Sequence, residues 1–415
     1  MSNRHARASE WGDRAPEGMP TEVIFCDTCV ISNQKPITAI ESHHRHDMSR
    51  STVRFVNGKC DACRWAWHKE HSIDWGAREA ELEELCNKHR STTGEFDVVV
   101  PASGGKDSCY VSHILKSKYR MNPLTVTWRP NQFTDVGLQN LFRLIDAGLP
   151  NVMISPPGDV HRRLTYMAFR ELGHPFQPFI AGQRVVGPRI ALNNRIKLIF
   201  YGENVAEYGN RLEENFTPRM QPELYTCFDF DQLSLDRYRL AGKTLKELIQ
   251  SFGFSLRDFQ SYKSPTREEV EKAGLEVHYM SYYRKWVPQE NYYYAVENVG
   301  FSQSEQRKDG SYSKYSGIDD YLEDLHYYMQ YIKFGMGRCT WDASQEIRSG
   351  RLERDEAVTL VKRYDGEPPR QSLPHILSYL RISEAEFWEI VNSFRSRNLF
   401  FSDDNGDYHL RKEIS

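Results

Sequence analysis

Residues 98–116 read VVVPASGGKDSCYVSHILK. A β-branched apolar run stops at Ser-Gly-Gly-Lys-Asp-Ser, and apolar residues then resume with helical spacing. Strand, glycine turn and helix in that order aim successive backbone N–H groups into one concavity at the positive end of a helix, a cradle for anionic oxygen. Gly104 and Gly105 let the backbone approach phosphates without an intervening Cβ. Lys106 supplies charge, the hydroxyls of Ser103 and Ser108 can donate, and Asp107 can hold a magnesium ion that bridges phosphates. A plain capped turn explains one Gly and one Ser but not the whole hexapeptide. The spacing is not that of a Walker A loop, which needs Gly, four residues, then Gly-Lys-Ser/Thr.

The chain around this stretch alternates strand and helix. FDVVVPA is followed by the helical SCYVSHILKSKYR, the strand PLTVTW, the helical GLQNLFRLIDAGL and the strand NVMISPP, and KLIFYGEN (197–204) enters another glycine turn. Such alternation predicts right-handed βαβ units, hence an α/β fold with a parallel twisted sheet and flanking helices. From about 262 the character changes: Tyr and Trp crowd into HYMSYYRKWVPQENYYYAVENVGF, and a mostly helical region follows. There Leu322, Leu325, Met329 and Ile332 form one helical stripe, and Ser383 and Glu386 form a capping box ahead of Phe387, Ile390, Val391 and Phe394. Before the sheet, AREAELEELCNKHR (77–90) reads as a helix burying Ala80, Leu82 and Leu85. The expected division is a disordered N-terminus (1–20), a metal-binding module with a helix (21–92), the α/β domain (93–262) and a helical substrate or partner region (263–415).

The length of 415 residues suits two or three domains. A net charge of −3 supplies no basic surplus, so no nucleic-acid partner is expected. The first twenty residues carry no apolar signal segment, and no apolar run reaches membrane-spanning length. A soluble cytoplasmic protein without membrane contact is expected. Its eight cysteines then read as reduced thiols or metal ligands. Cys26-Asp-Thr-Cys29 and Cys60-Asp-Ala-Cys63 are two CxxC units, each placing two thiolates on one tight turn, as tetrahedral zinc requires. A redox CxxC needs a βαβ context that this region lacks. The four are assigned to a structural zinc. His43, His44 and His46 sit in a polar loop and are read as solvated, and Cys86, Cys109, Cys227 and Cys339 as ordinary thiols.

SGGKDS after a buried strand resembles the PP-loop of the ATP pyrophosphatase superfamily, the adenine nucleotide alpha hydrolase-like proteins. That likeness implies cleavage of ATP between its α- and β-phosphates, with the pyrophosphate and Mg2+ held by Ala102, Ser103, Gly104, Gly105, Lys106, Asp107 and Ser108. Lys106 and Asp107 are then the catalytic residues. It also implies adenine passing the second strand near Thr127 and Trp128, and a second turn beside the reacting centre at Gly202, Glu203 and Asn204.

Over about 26–366 the chain is similar to the bacterial N-acetyl sugar amidotransferases of O-antigen and flagellin-glycan synthesis. The likeness rests on CDTCV…GKCDAC, PASGGKDS, YGEN and YSGIDDYLEDLHYYMQYIKFGMGRCTWDASQEIRSGRL. It implies an ATP-dependent carbon–nitrogen ligase that turns the acetamido group of a nucleotide-activated sugar into an acetamidino group. No glutaminase signature occurs: position 2 is Ser, and Cys60 lies in Gly-Lys-Cys-Asp-Ala rather than in a nucleophile elbow. Ammonia is therefore expected from a separate glutaminase subunit with a cyclase-like companion. Candidate substrate contacts are Arg284, Lys285 and Trp286 in the aromatic stretch, and Arg338 and Asp342 in the C-terminal run, the latter two equally read as a buried ion pair. Most aromatics of 278–294 read as core. Two alternatives stand beside this: a tRNA-thiolating PP-loop enzyme with an N-terminal zinc site, and a non-catalytic scaffold. The first needs further cysteines between Cys109 and Cys227, where there are none, and the second is at odds with an intact SGGKDS.

Overall fold

The computed structural model describes residues 19–36, 52–210, 212 and 216–415. Residues 1–18, with most of the expected disordered N-terminus, and the His43/His44/His46 loop lie outside them. The central feature is a five-stranded sheet in the order Asn151–Ile154, Pro123–Trp128, Val98–Pro101, Leu198–Tyr201, Glu276–Tyr279. All four pairings are parallel. The inner strands are buried along nearly their whole length, which is why VVVP and LIFY read as apolar runs, while PLTVTW buries Thr125 and Thr127 as well.

Alternate residues of each strand face opposite layers. Val99, Leu124, Val126 and Ile199 pack against the helices Gly158–Leu172 and Gln177–Asn193. Val98, Val100, Leu198 and Phe200 pack against the helix Lys106–Ser117 and against Leu82 and Cys86 of the helix Trp75–His89. Ala80 is exposed, contrary to expectation. It stands two residues, hence about 200° of helix rotation, from Leu82, so it points away once the Leu82/Cys86 stripe takes the sheet.

The expected domain end at 262 cuts this sheet short, because its fifth strand, Glu276–Tyr279, pairs with Leu198–Tyr201. The four-residue strand is hidden among aromatics and carries a buried polar His278, so it lacks the β-branched run that marked the others. The C-terminal helices share the main core. Leu322, Leu325, Met329 and Ile332 of the helix Leu322–Phe334 meet Phe387, Ile390, Val391 and Phe394 there. Ser383 caps its helix as expected, but Glu386 does not close the box; its carboxylate accepts from the Tyr166 hydroxyl at 2.7 Å instead. The region is mostly helical as expected, and an antiparallel pair, Phe400–Ser402 with Tyr408–Leu410, lies at its end.

Candidate active site

Numbered along the chain, the strands run 3-2-1-4-5 across the sheet, so connections leave in opposite directions on either side of the pair Val98–Pro101 and Leu198–Tyr201. The carboxyl ends of such a pair open a crevice. A cavity of about 420 Å³ lies there, reached by both the Ser103–Ser108 loop and the Gly202–Tyr208 turn.

Gly105 is the N-cap of the helix Lys106–Ser117 and has no side chain with which to cap it. Lys106 Nζ lies 2.5 Å from Asp107 Oδ2, and Asp107 Oδ1 accepts from Asn291 Nδ2 at 2.9 Å. The two glycines do different work. Gly104 has φ +86°, and a Cβ on it would stand 2.5 Å from the backbone nitrogen of Leu141. The neighbouring helix Asp135–Asp146 by itself therefore demands a glycine at this position. At Gly105 a Cβ would meet only Ser103 Oγ, at an ordinary 3.5 Å, while the residue itself lines the cavity.

On the opposite wall Glu203 accepts a hydrogen bond from the Tyr208 hydroxyl. Burial pushes the Glu203 carboxyl up, and the nearby charge of Asp107 adds to the effect. Asn204 does not reach this wall; it is buried, and its backbone N–H donates to Ser281 Oγ at 2.9 Å. Ala102 and Trp128 line the cavity, whereas Thr127 Oγ1 donates to the Ala102 carbonyl at 2.6 Å and stitches two strands together. Of the aromatic-stretch candidates only Trp286 lines the cavity. Arg284 donates to Glu79 at 2.6 Å and to the Tyr110 hydroxyl at 2.8 Å, and Lys285 pairs with Glu70 at 2.6 Å. Helices Trp75–His89 and Asp61–His71 supply those carboxylates, so both charges are met away from the site.

The third wall comes from the C-terminal region. Arg338 and Asp342, one turn apart on the helix Arg338–Arg348, are joined at 3.1 Å, and both line the cavity. They are an ion pair and a cavity wall at once. Arg338 also donates to Glu323 at 3.3 Å and lies over the Tyr327 ring at 4.4 Å. Burial, reinforced by Asp319, pushes the Glu323 carboxyl up to about 8, with Arg338 pulling the other way. Tyr315, Tyr327 and Trp341 add aromatic faces. Among the charged lining residues, Asp107, Glu203, Asp319, Glu323 and Asp342 outnumber Lys106 and Arg338. Asn291, Tyr208, Glu323 and Asp319 were not singled out from sequence: Asp319 and Glu323 lie in the long C-terminal run without any local mark of a site, Asn291 lies among tyrosines, and the fold brings all four to the loop.

The four cysteines converge as expected. Cys26, Cys29, Cys60 and Cys63 are buried, with all four sulfurs within 4.8 Å of one another. Cys26–Cys63 and Cys29–Cys60 are 3.9 and 3.7 Å apart. A tetrahedron of Zn–S bonds of about 2.3 Å has edges of about 3.8 Å, which these two separations match, so the cluster can hold a zinc ion. Backbone N–H groups of Thr28 and Cys60 donate to Cys26 Sγ at 3.4 and 3.3 Å, the stabilisation a thiolate uses. Cys86, Cys109 and Cys339 are buried and Cys227 partly so, as ordinary thiols are.

Residues 309–414 match the family model described as LPS biosynthesis protein WbpG-like, C-terminal domain. The matched segment contributes Arg338, Asp342, Glu323 and the three aromatic faces to the cavity. No curated protein matches the chain. Among the described residues, no helix is long and apolar enough to cross a membrane.

Proposed function

We propose that the chain is an ATP-dependent, AMP-forming amidotransferase of lipopolysaccharide biosynthesis that converts the acetamido group of a nucleotide-activated sugar to an acetamidino group. One observation carries this reading: SGGKDS and the WbpG-like segment open onto the same cavity. ATP lies on the loop side, with the β- and γ-phosphates over Gly105, Lys106 and Ser108 and the adenine towards Trp128. The sugar lies against Tyr315, Tyr327 and Trp341, with Arg338 facing its phosphates.

An amide carbonyl is a weak electrophile with a poor leaving group. Attack of its oxygen on the α-phosphorus of ATP expels pyrophosphate and leaves an imidate bearing AMP. Ammonia adds to the imidate carbon, AMP departs with the former amide oxygen, and an amidine remains. Lys106 offsets charge on the departing pyrophosphate, and the helix N-terminus at Gly105 stabilises it further. Asp107, oriented by Asn291, and Glu203 across the cavity are the residues that would hold Mg2+, which screens phosphate charge when bound. Ammonia comes from a separate glutaminase with a cyclase-like companion. Against tRNA thiolation counts that, among the described residues, no cysteine lines the cavity.

The test is incubation with ATP, Mg2+, ammonium and a panel of nucleotide-linked acetamido sugars. AMP release matched by a product in which NH replaces one oxygen, read by mass spectrometry, supports the assignment. AMP without sugar conversion contradicts it.

A further inference from the structure

The wall bearing Glu203 is held from behind. Tyr208, which binds Glu203, belongs to the short 3-10 turn Val205–Tyr208. So short an element takes its conformation from what grips it. Its Glu207 carboxylate is buried and accepts from Trp65 Nε1 at 2.8 Å and Lys69 Nζ at 2.7 Å. Both donors lie on the helix Asp61–His71, whose N-cap is Cys60 and which carries Cys63. The Glu207 carbonyl accepts from Arg348 Nη2 at 3.1 Å, and the other arm of that guanidinium stands 4.0 Å from Cys29 Sγ. Arg348 closes the helix that begins with Arg338 and Asp342 in the cavity. Lys35, from the same N-terminal module, donates to the Tyr208 carbonyl and lies over the Trp341 ring.

We propose that Arg348 and Glu207 are positioning residues that tie the Glu203–Tyr208 turn to the four-cysteine centre, so that metal at the cysteines fixes one wall of the cavity. Glu207 gathers the module's donors into one buried ion pair, and Arg348 links the thiolates, the turn and the cavity-lining helix with a single planar group. Lysine has one point of charge and cannot span both contacts. The link rests on the reading of the cavity as a nucleotide site only for its effect on ATP.

The experiment uses the zinc-loaded full chain as wild type, Arg348→Ala, Arg348→Lys and Glu207→Gln. Zinc content, thermal midpoint, hydrogen exchange of peptides within 201–210 and MgATP affinity by calorimetry are measured on each. In Arg348→Ala, zinc should be retained while 201–210 exchanges about tenfold faster and MgATP binds about tenfold more weakly. Peptides over Val98–Pro101 should keep wild-type protection, and Arg348→Lys should fall between. Chelating zinc from the wild type should reproduce the acceleration at 201–210. Unchanged exchange there, or a uniform rise along the chain, overturns the proposal. If Arg348→Ala does not fold, Glu207→Gln, which keeps size and shape, is judged by the same two outcomes. If wild type binds no MgATP, the nucleotide assignment fails, and the exchange pattern still decides the link.

Discussion

Lys106 is the one cation on the loop side of the cavity among the described lining residues, against Asp107 and Glu203 close by. Lys106→Ala should abolish AMP formation while leaving zinc content and thermal midpoint near wild type; retained turnover would remove Lys106 from the chemistry. Glu323 gives a pH signature. Its folded-state value near 8 lies above the unfolded value of about 4.3, so the stability contributed by the neutral acid is complete below that lower value. It is lost as pH rises to about 8. Across that window wild type should lose stability relative to Glu323→Gln by at most ~1.4 kcal/mol per pH unit. Parallel denaturation curves for the two proteins would show that Glu323 ionises normally. Lys106 and Asp107 were legible because they sit in a contiguous motif. Glu323 and Asn291 were not, since the first looks like any first-turn helix acid and the second lies in a tyrosine run.

At the scale of elements, the crossover helices place the site. The helix Gln177–Asn193 lies so close over the sheet that a Cβ on Gly182 would stand 2.1 Å from the Trp128 indole. Gly182→Ala should therefore displace Trp128 from the cavity wall and cost about 1–3 kcal/mol, read as a lower thermal midpoint together with altered tryptophan fluorescence. A neutral substitution would mean that the helix stands farther off. The first four strands were legible within a few residues: Val98–Pro101, Pro123–Trp128 and Leu198–Tyr201 are buried along nearly their whole length, and the more exposed edge strand Asn151–Ile154 was marked by its place in the strand–helix alternation. Glu276–Tyr279 was not: an edge strand of four residues rich in Tyr and His carries no apolar run. The pairings of Arg284 and Lys285 were illegible for a related reason, as their carboxylate partners come from helices more than two hundred residues earlier in the chain.

At the scale of the whole molecule, an α/β sheet and a C-terminal segment matching a WbpG-like model line one carboxyl-rich cavity, with an N-terminal cysteine centre behind one wall. The two CxxC units disclosed the centre from sequence, because four thiolates in that spacing have few other uses. What they did not disclose is that Cys29 faces Arg348, a contact between residues at opposite ends of the chain. Cys63→Ser should lower bound zinc and the thermal midpoint together, by metal analysis and calorimetry. Zinc retained at the wild-type level would contradict the four-thiolate assignment. The central claim is that ATP activates the oxygen of the sugar's amide. It is tested most directly by labelling that oxygen with a heavy isotope and following it through one turnover with ammonium. Label recovered in AMP is the predicted result; label in inorganic phosphate or in water, with amidine formed, would contradict the account.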